Sequence, residues 1–287
     1  MKLEVPLHIT GFFYPVYTGV PETSGSVGAG IVVEPGVTCE VKKGAGGITY
    51  NGEVLASGPS VELYRALRLP FGLELSGQCA PGAGYAFSAA STLAVVSAGV
   101  ILGGLSLLEA GRIAHAMEVL HGTGLGDVLA IWEGGGLTVR TRPGAPGIGR
   151  AESVKIETDL VILTAELGTM PTRDFLVRHS ASIMELGRRL YESFIDEPSF
   201  ERFFELSQTF TLELGLLEQP VRELVRRLPK EALGWFVKKK LLVVAAEKHE
   251  APEVARGMEE LFRRVRWFRV GGRGWRRSLE TIRDTTP

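Results

Sequence analysis

Cysteine is nearly missing: Cys39 and Cys79 are the only two in 287 residues, and no CxxC pair occurs. That excludes a disulfide scaffold and a Cys-rich zinc site, and it fits a reducing, cytoplasmic setting. Net charge is nearly missing too. Lys and Arg number 32 against 33 Asp and Glu, a formal charge of -1, so no global field draws the chain to nucleic acid or an anionic membrane. Residues 1–6 lack the charged-then-apolar pattern of an export signal. Charge is absent altogether between Glu74 and Glu109. A polar, glycine-rich start and Gly103-Gly104 interrupt that stretch, which therefore reads as a helix buried on all sides and not as a membrane span.

What is present is unevenly spread. Residues 1–150 hold 28 of the 36 glycines and only 20 charged residues, whereas 45 charged residues follow. This change of character predicts an α+β chain of two domains, residues 1–153 and 154–287. In the first, Ile31-Val32-Val33 and Thr38-Cys39-Glu40-Val41 flank Pro35-Gly36, and short apolar runs flank Asn51-Gly52, so antiparallel strands are expected. Helices are expected over 61–68, from 85–88 to about 99, and from the capping box Ser106/Glu109 to about 120. The second part is helix-rich, with proline starts at Pro198, Pro220 and Pro229, strands at 160–163, 241–246 and 267–270, a helix over 252–265 and a basic tail.

Two loops carry candidate chemistry. Residues 80–90, Ala-Pro-Gly-Ala-Gly-Tyr-Ala-Phe-Ser-Ala-Ala, lie between an extended run and an apolar helix. A glycine-rich turn entering a helix brings several N–H groups onto one anion, although the same glycines also suit close packing of helix on sheet. No GxxxxGK[ST] occurs, and Phe87 breaks the GxGxxG that Gly82 would begin, so Walker and Rossmann sites are excluded. In the second loop, His121-Gly-Thr-Gly-Leu-Gly-Asp127, the aspartate is the one acid. It can accept a proton from a substrate hydroxyl or cap a helix.

The first loop resembles the second motif of the GHMP kinases, PxxxGLGSSAA, the family of galactokinase, homoserine kinase and mevalonate kinase. Aligned on Gly84, it matches at Gly84, Ser88, Ala89 and Ala90, has Pro81 one residue nearer than the motif's proline, and departs at Tyr85, Ala86 and Phe87. The resemblance implies a two-domain GHMP-kinase-like fold, a mixed sheet with helices followed by a helix-rich α+β domain, with the site in the cleft between them. It also implies a phosphate cradle of Pro81, Gly82, Ala83, Gly84, Tyr85, Ala86, Phe87 and Ser88 for ATP. Mg2+ would be held by Ser88 and Glu118, and Asp127 would be the general base. His115 and His121 flank Glu118, but an oxygen-ligated magnesium leaves them packing or hydrogen-bonding roles.

Residues 9–13, 24–30 and 123–147 extend the resemblance to the archaeal pantoate kinases within that family, over residues 5–175. They imply transfer of the γ-phosphoryl of ATP to the 4-hydroxyl of pantoate on the archaeal route to coenzyme A, by a homodimer. A homoserine- or mevalonate-type kinase is the second reading. Ser26, Gly28, Thr123 and Arg140 are the candidate substrate residues. The carboxylate would meet either a nest of N–H groups over 26–30 or a guanidinium from Arg140 or Arg142. Residues 263–277 hold seven arginines interleaved with Trp267, Phe268 and Trp275. That pattern suits single-stranded nucleic acid or arginines paired with acids, and no nucleic-acid partner is expected.

Overall fold

The computed structural model describes residues 2–285 apart from 45, 157, 158, 220 and 273. In chain order the first half comprises β1 (Lys2–Val16), β2 (Gly25–Lys42), β3 (Ile48–Tyr50), β4 (Glu53–Val54), α1 (Pro59–Ala66), β5 (Gly72–Ser76), α2 (Phe87–Ile101), α3 (Leu107–His121), α4 (Asp127–Glu133), β6 (Leu137–Arg142) and β7 (Arg150–Val154). The second comprises β8 (Leu160–Glu166), α5 (Thr172–Ile195), α6 (Phe200–Glu213), α7 (Val221–Val225), β9 (Gly234–Lys238), β10 (Leu241–Glu247), α8 (Ala251–Glu259), β11 (Val265–Val270) and α9 (Gly274–Thr285).

Strand β2 organises the sheet because its 18 residues change partner along their length. It pairs with β1 throughout, with β6 at 28–31, with β11 at 33–34 and with β5 at 38–42. The main path runs β4-β3-β5-β2-β11-β8-β10-β9, so one sheet crosses from the first half into the second. The Asn51-Gly52 turn forms as expected, both residues at positive φ (50° and 87°). Pro35-Gly36 is different: it makes no turn but a register shift inside β2, opposite residues 5–7 of β1. A bulge and a turn share the same residue types, and only the partner strand distinguishes them.

Helix α2 has no polar face, and it sits centrally, with residues from Phe87 to Val100 almost all buried. Each fully buried Val or Leu there contributes about 1.5–3 kcal/mol. Helix α3 starts at the expected box, Ser106 accepting from Glu109 N and Glu109 from Ser106 N. Strands β8 and β10 are buried on both faces, which explains their unbroken apolar runs. Leu160 and Ile162 join the main core, while Val161, Leu163, Leu242 and Val244 pack under Val254 and Met258 of α8. Helix α8 ends at Glu259, short of the expected 265; no helix follows Pro229, which lies in a turn; and Pro220 lies outside the described residues. The basic tail is helical: Trp275 of α9 is fully buried, its ring 5.3 Å from Trp132 and its Nε1 donating to Ser97 Oγ (2.8 Å). Among the described residues no helix is long and apolar enough to cross a membrane.

Candidate active site

A cavity of about 350 Å³ opens between the loop before α2, the loop before α4, the start of α5 and the β9–β10 turn. The first loop descends through Gly82 (φ 83°), Gly84 (φ 141°) and Ala86 (φ 56°) into α2. Ala86 is the N-cap and supplies no side-chain acceptor. The first-turn N–H groups of Phe87, Ser88 and Ala89 therefore lack helical partners at the positive end of the helix dipole. Pro81, Gly82, Gly84, Tyr85, Ala86, Phe87 and Ser88 line the cavity. Ala83, also expected in the cradle, does not: it is buried, and its N–H turns back to Ala80 O (3.2 Å). The loop is pinned from the second half. Glu166, held by two bonds from Arg266 (3.0 and 2.9 Å), accepts from Ala80 N (2.8 Å), and Met170 N donates to Gly82 O (3.1 Å).

Asp127 faces the same cavity. It is the first residue of α4, whose N-cap is Gly126 and not the aspartate. Its Oδ1 meets His8 Nδ1 (2.7 Å), Thr10 Oγ1 (3.4 Å) and Lys238 Nζ (3.8 Å). Burial alone would raise this carboxyl. The Lys238 ammonium, His8 and Arg140 outweigh burial and hold it far below the usual carboxylate range, so Asp127 is ionised. Burial also brings His8 down to about 4, against the pull of Asp127. The neutral ring must then donate from Nδ1 to Asp127 and accept at Nε2, where Arg140 Nη1 lies 3.3 Å away. Strand alternation puts His8 and Thr10 on one face of β1, and Gly30 leaves room for the ring: a Cβ there would lie 2.3 Å from His8 Nε2.

Glu118 lies one layer deeper, behind Ser88. Ser88 Oγ donates to Glu118 Oε1 (2.6 Å), and Thr92 Oγ1 adds a second bond (3.2 Å). Burial pushes Glu118 up to about 7, and it has no ion pair among the described residues. The donors are all oxygen and one is a buried carboxylate with no ion pair at contact distance among the described residues, which fits Mg2+. No group of three His, Cys, Asp or Glu side chains that could hold a metal occurs among the described residues. His115 Nε2 contacts Ser24 O (2.8 Å) and His121 contacts Glu62 (3.1 Å).

The expected substrate residues divide. Ser26 and Thr123 line the cavity; Gly28 and Arg140 do not. Gly28 is a strand residue at φ 151°, packed against Phe12 and Phe13. Arg140 is buried behind His8, where it bears on Asp127 through that ring. The expected nest over 26–30 is absent because those residues are extended and paired along β1, and from 28 on along β6 as well, which commits their backbone groups. In the basic segment Arg266 is paired with Glu166, Phe268 and Trp275 are core residues, and Arg273 lies outside the described residues. The sequence reading missed His8, Thr10, Lys238 and Lys239. Period-two alternation puts Lys238 on the face of β9 that carries Phe236, but Lys238-Lys239-Lys240 reads as a solvated turn.

No family model matches the chain. It is 31% identical over 245 residues to the pantoate kinase of Thermococcus kodakarensis, covering 80% of this chain and 81% of that protein. A solved structure described as a phosphotransferase related to the CoA biosynthesis pathway superposes with a TM-score of 0.77 at 27% identity, covering 94% of this chain and 95% of that one. A mevalonate kinase shares the fold at 12% identity and a TM-score of 0.66, covering 95% and 99%. The chain has the GHMP kinase fold and belongs to the pantoate kinase family.

Proposed function

We propose that the chain transfers the γ-phosphoryl of ATP to the 4-hydroxyl of pantoate, giving 4-phosphopantoate, a step of archaeal coenzyme A synthesis. One observation carries the reading: an ionised carboxylate, Asp127, faces the same cavity as the uncapped amides that open α2. The phosphates of ATP lie against residues 81–88, where the amides of Phe87 and Ser88 and the dipole of α2 meet their charge. Asp127 accepts the hydroxyl proton as the alcohol oxygen bonds to the γ-phosphorus and the bond to ADP breaks. His8 positions the carboxylate and stays neutral, so it does not compete for that proton. Ser88 and Glu118 would hold Mg2+, which when bound neutralises phosphate charge. Ser26 and Thr123 are the substrate contacts kept from the sequence reading.

Residues 1–153 supply the nucleotide half of the cleft in this proposal, and residues beyond 153 close it through the start of α5 and the β9–β10 turn. The working unit is proposed to be a homodimer. The test is ATP consumption by the purified protein with pantoate, mevalonate, homoserine or shikimate. Pantoate should be the preferred acceptor, and Asp127→Asn should lower kcat on the order of 10²–10⁴-fold while keeping ATP affinity. Preference for another alcohol removes pantoate from the proposal, and full turnover in the Asn variant removes Asp127.

A further inference from the structure

Lys238 helps to hold Asp127 ionised, and its place in the fold gives it a second task. It ends β9 just before the turn into β10, and it lies against both the phosphate loop and Asp127. Its backbone rests on the phosphate loop: a Cβ on Gly84 would lie 3.0 Å from the Lys238 carbonyl oxygen. Its Nζ lies 3.8 Å from Asp127 Oδ1, and the side chain is only 14% exposed. Among the described residues no hydrogen-bond acceptor is recorded for that ammonium. The neighbouring lysines differ. Lys239 Nζ donates to Met170 O (3.0 Å) and Thr172 Oγ1 (2.9 Å), and Lys240 reaches outward to Glu218 (2.8 Å). Lys238 thus keeps three donors uncommitted in a nearly enclosed space. Burying a cation is costly unless anions surround it, and Asp127 supplies only one.

We propose that Lys238 is a catalytic cation of this kinase, its ammonium touching the phosphoryl group as it passes from nucleotide to the hydroxyl held by Asp127. The inference rests on ATP being the phosphoryl donor. During transfer the negative charge spreads over three equatorial oxygens. The amides of α2 meet it from the phosphate loop, and the Lys238 ammonium meets it from beside Asp127. The proton balance is unchanged: the alcohol's proton goes to Asp127, ADP leaves with the electron pair of the broken P–O bond, and Lys238 stays protonated.

The experiment compares Lys238→Met and Lys238→Arg with Lys240→Ala, a control in the same turn but outside the cavity. Calorimetry measures Mg-ADP affinity with and without aluminium fluoride, which imitates the migrating group and needs no acceptor. The Met variant should keep ADP affinity within about threefold and lose on the order of 10²–10³ in affinity for the fluoride complex, with a parallel loss of kcat, the usual scale for one charge-stabilising donor. Arg should restore part of it and Lys240→Ala should match wild type. Wild-type affinity of the Met variant for the fluoride complex overturns the proposal, as does equal loss for both complexes. Should the Met variant fail to fold, Lys238→Gln carries the same comparison. A wild type that binds the fluoride complex through Lys238 but spares pantoate refutes the acceptor assignment alone.

Discussion

Replacing Glu118 by Gln in metal-free protein should change how stability depends on pH. The wild-type carboxyl is 2% exposed, and burial pushes it from 4.5 up to about 7, with Asp127 adding to the effect and the Ser88 hydroxyl opposing it. A raised folded-state value means that the fold prefers the protonated form. The stability from that proton is fully present below pH 4.5 and is lost as pH rises through 7. Between those limits the slope is about 1.4 kcal/mol per pH unit, which amounts to about 2 kcal/mol from pH 5 to pH 7. Gln has no proton to lose. Urea denaturation with EDTA at pH 5, 6 and 7 should therefore show Glu118→Gln gaining on wild type by about 2 kcal/mol across the range. Excess Mg2+ with nucleotide should flatten the wild-type dependence, because a cation stabilises the ionised form. Parallel wild-type and variant curves would mean that Glu118 ionises as freely as an exposed carboxylate, which would refute the reasoning from burial.

Two further outcomes follow from the geometry. Ala86 holds φ 56° at the entry to α2, where the related motif carries glycine, so Ala86→Gly should raise stability by up to about 1 kcal/mol in urea denaturation; a loss of stability would show that the left-handed conformation is not strained there. Val177 and Met184 are both exposed on α5, on either side of a kink at His179, and a homodimer through that helix should be split by Val177→Lys with Met184→Lys. Sedimentation velocity reads this directly, and a wild type that sediments as a monomer at micromolar concentration refutes it.

Much of the site was legible from local pattern. The apolar run of α2 behind a glycine-rich turn, the capping box of α3 and the lone acid of the 121–127 loop each encode their own geometry within about ten residues, because helix entry and turn conformation are local matters. The substrate wall was not legible in the same way. Residues 26–30 look like a loop by composition, and they become a strand because β1 and β6 pair on either side of them.

The sequence by itself determined the local frame, a glycine-rich turn opening α2 and an acid opening α4. Tertiary structure alone decided the electrostatic state of those groups. His8, Arg140 and Lys238 lie 119, 13 and 111 residues from Asp127 in the chain, yet together they hold it ionised. Glu118 looks like any helix glutamate until the fold buries it and brings Ser88, 30 residues away, to its carboxyl. The physical reason is that charge state depends on desolvation and on distance through space, and neither quantity is written in sequence spacing.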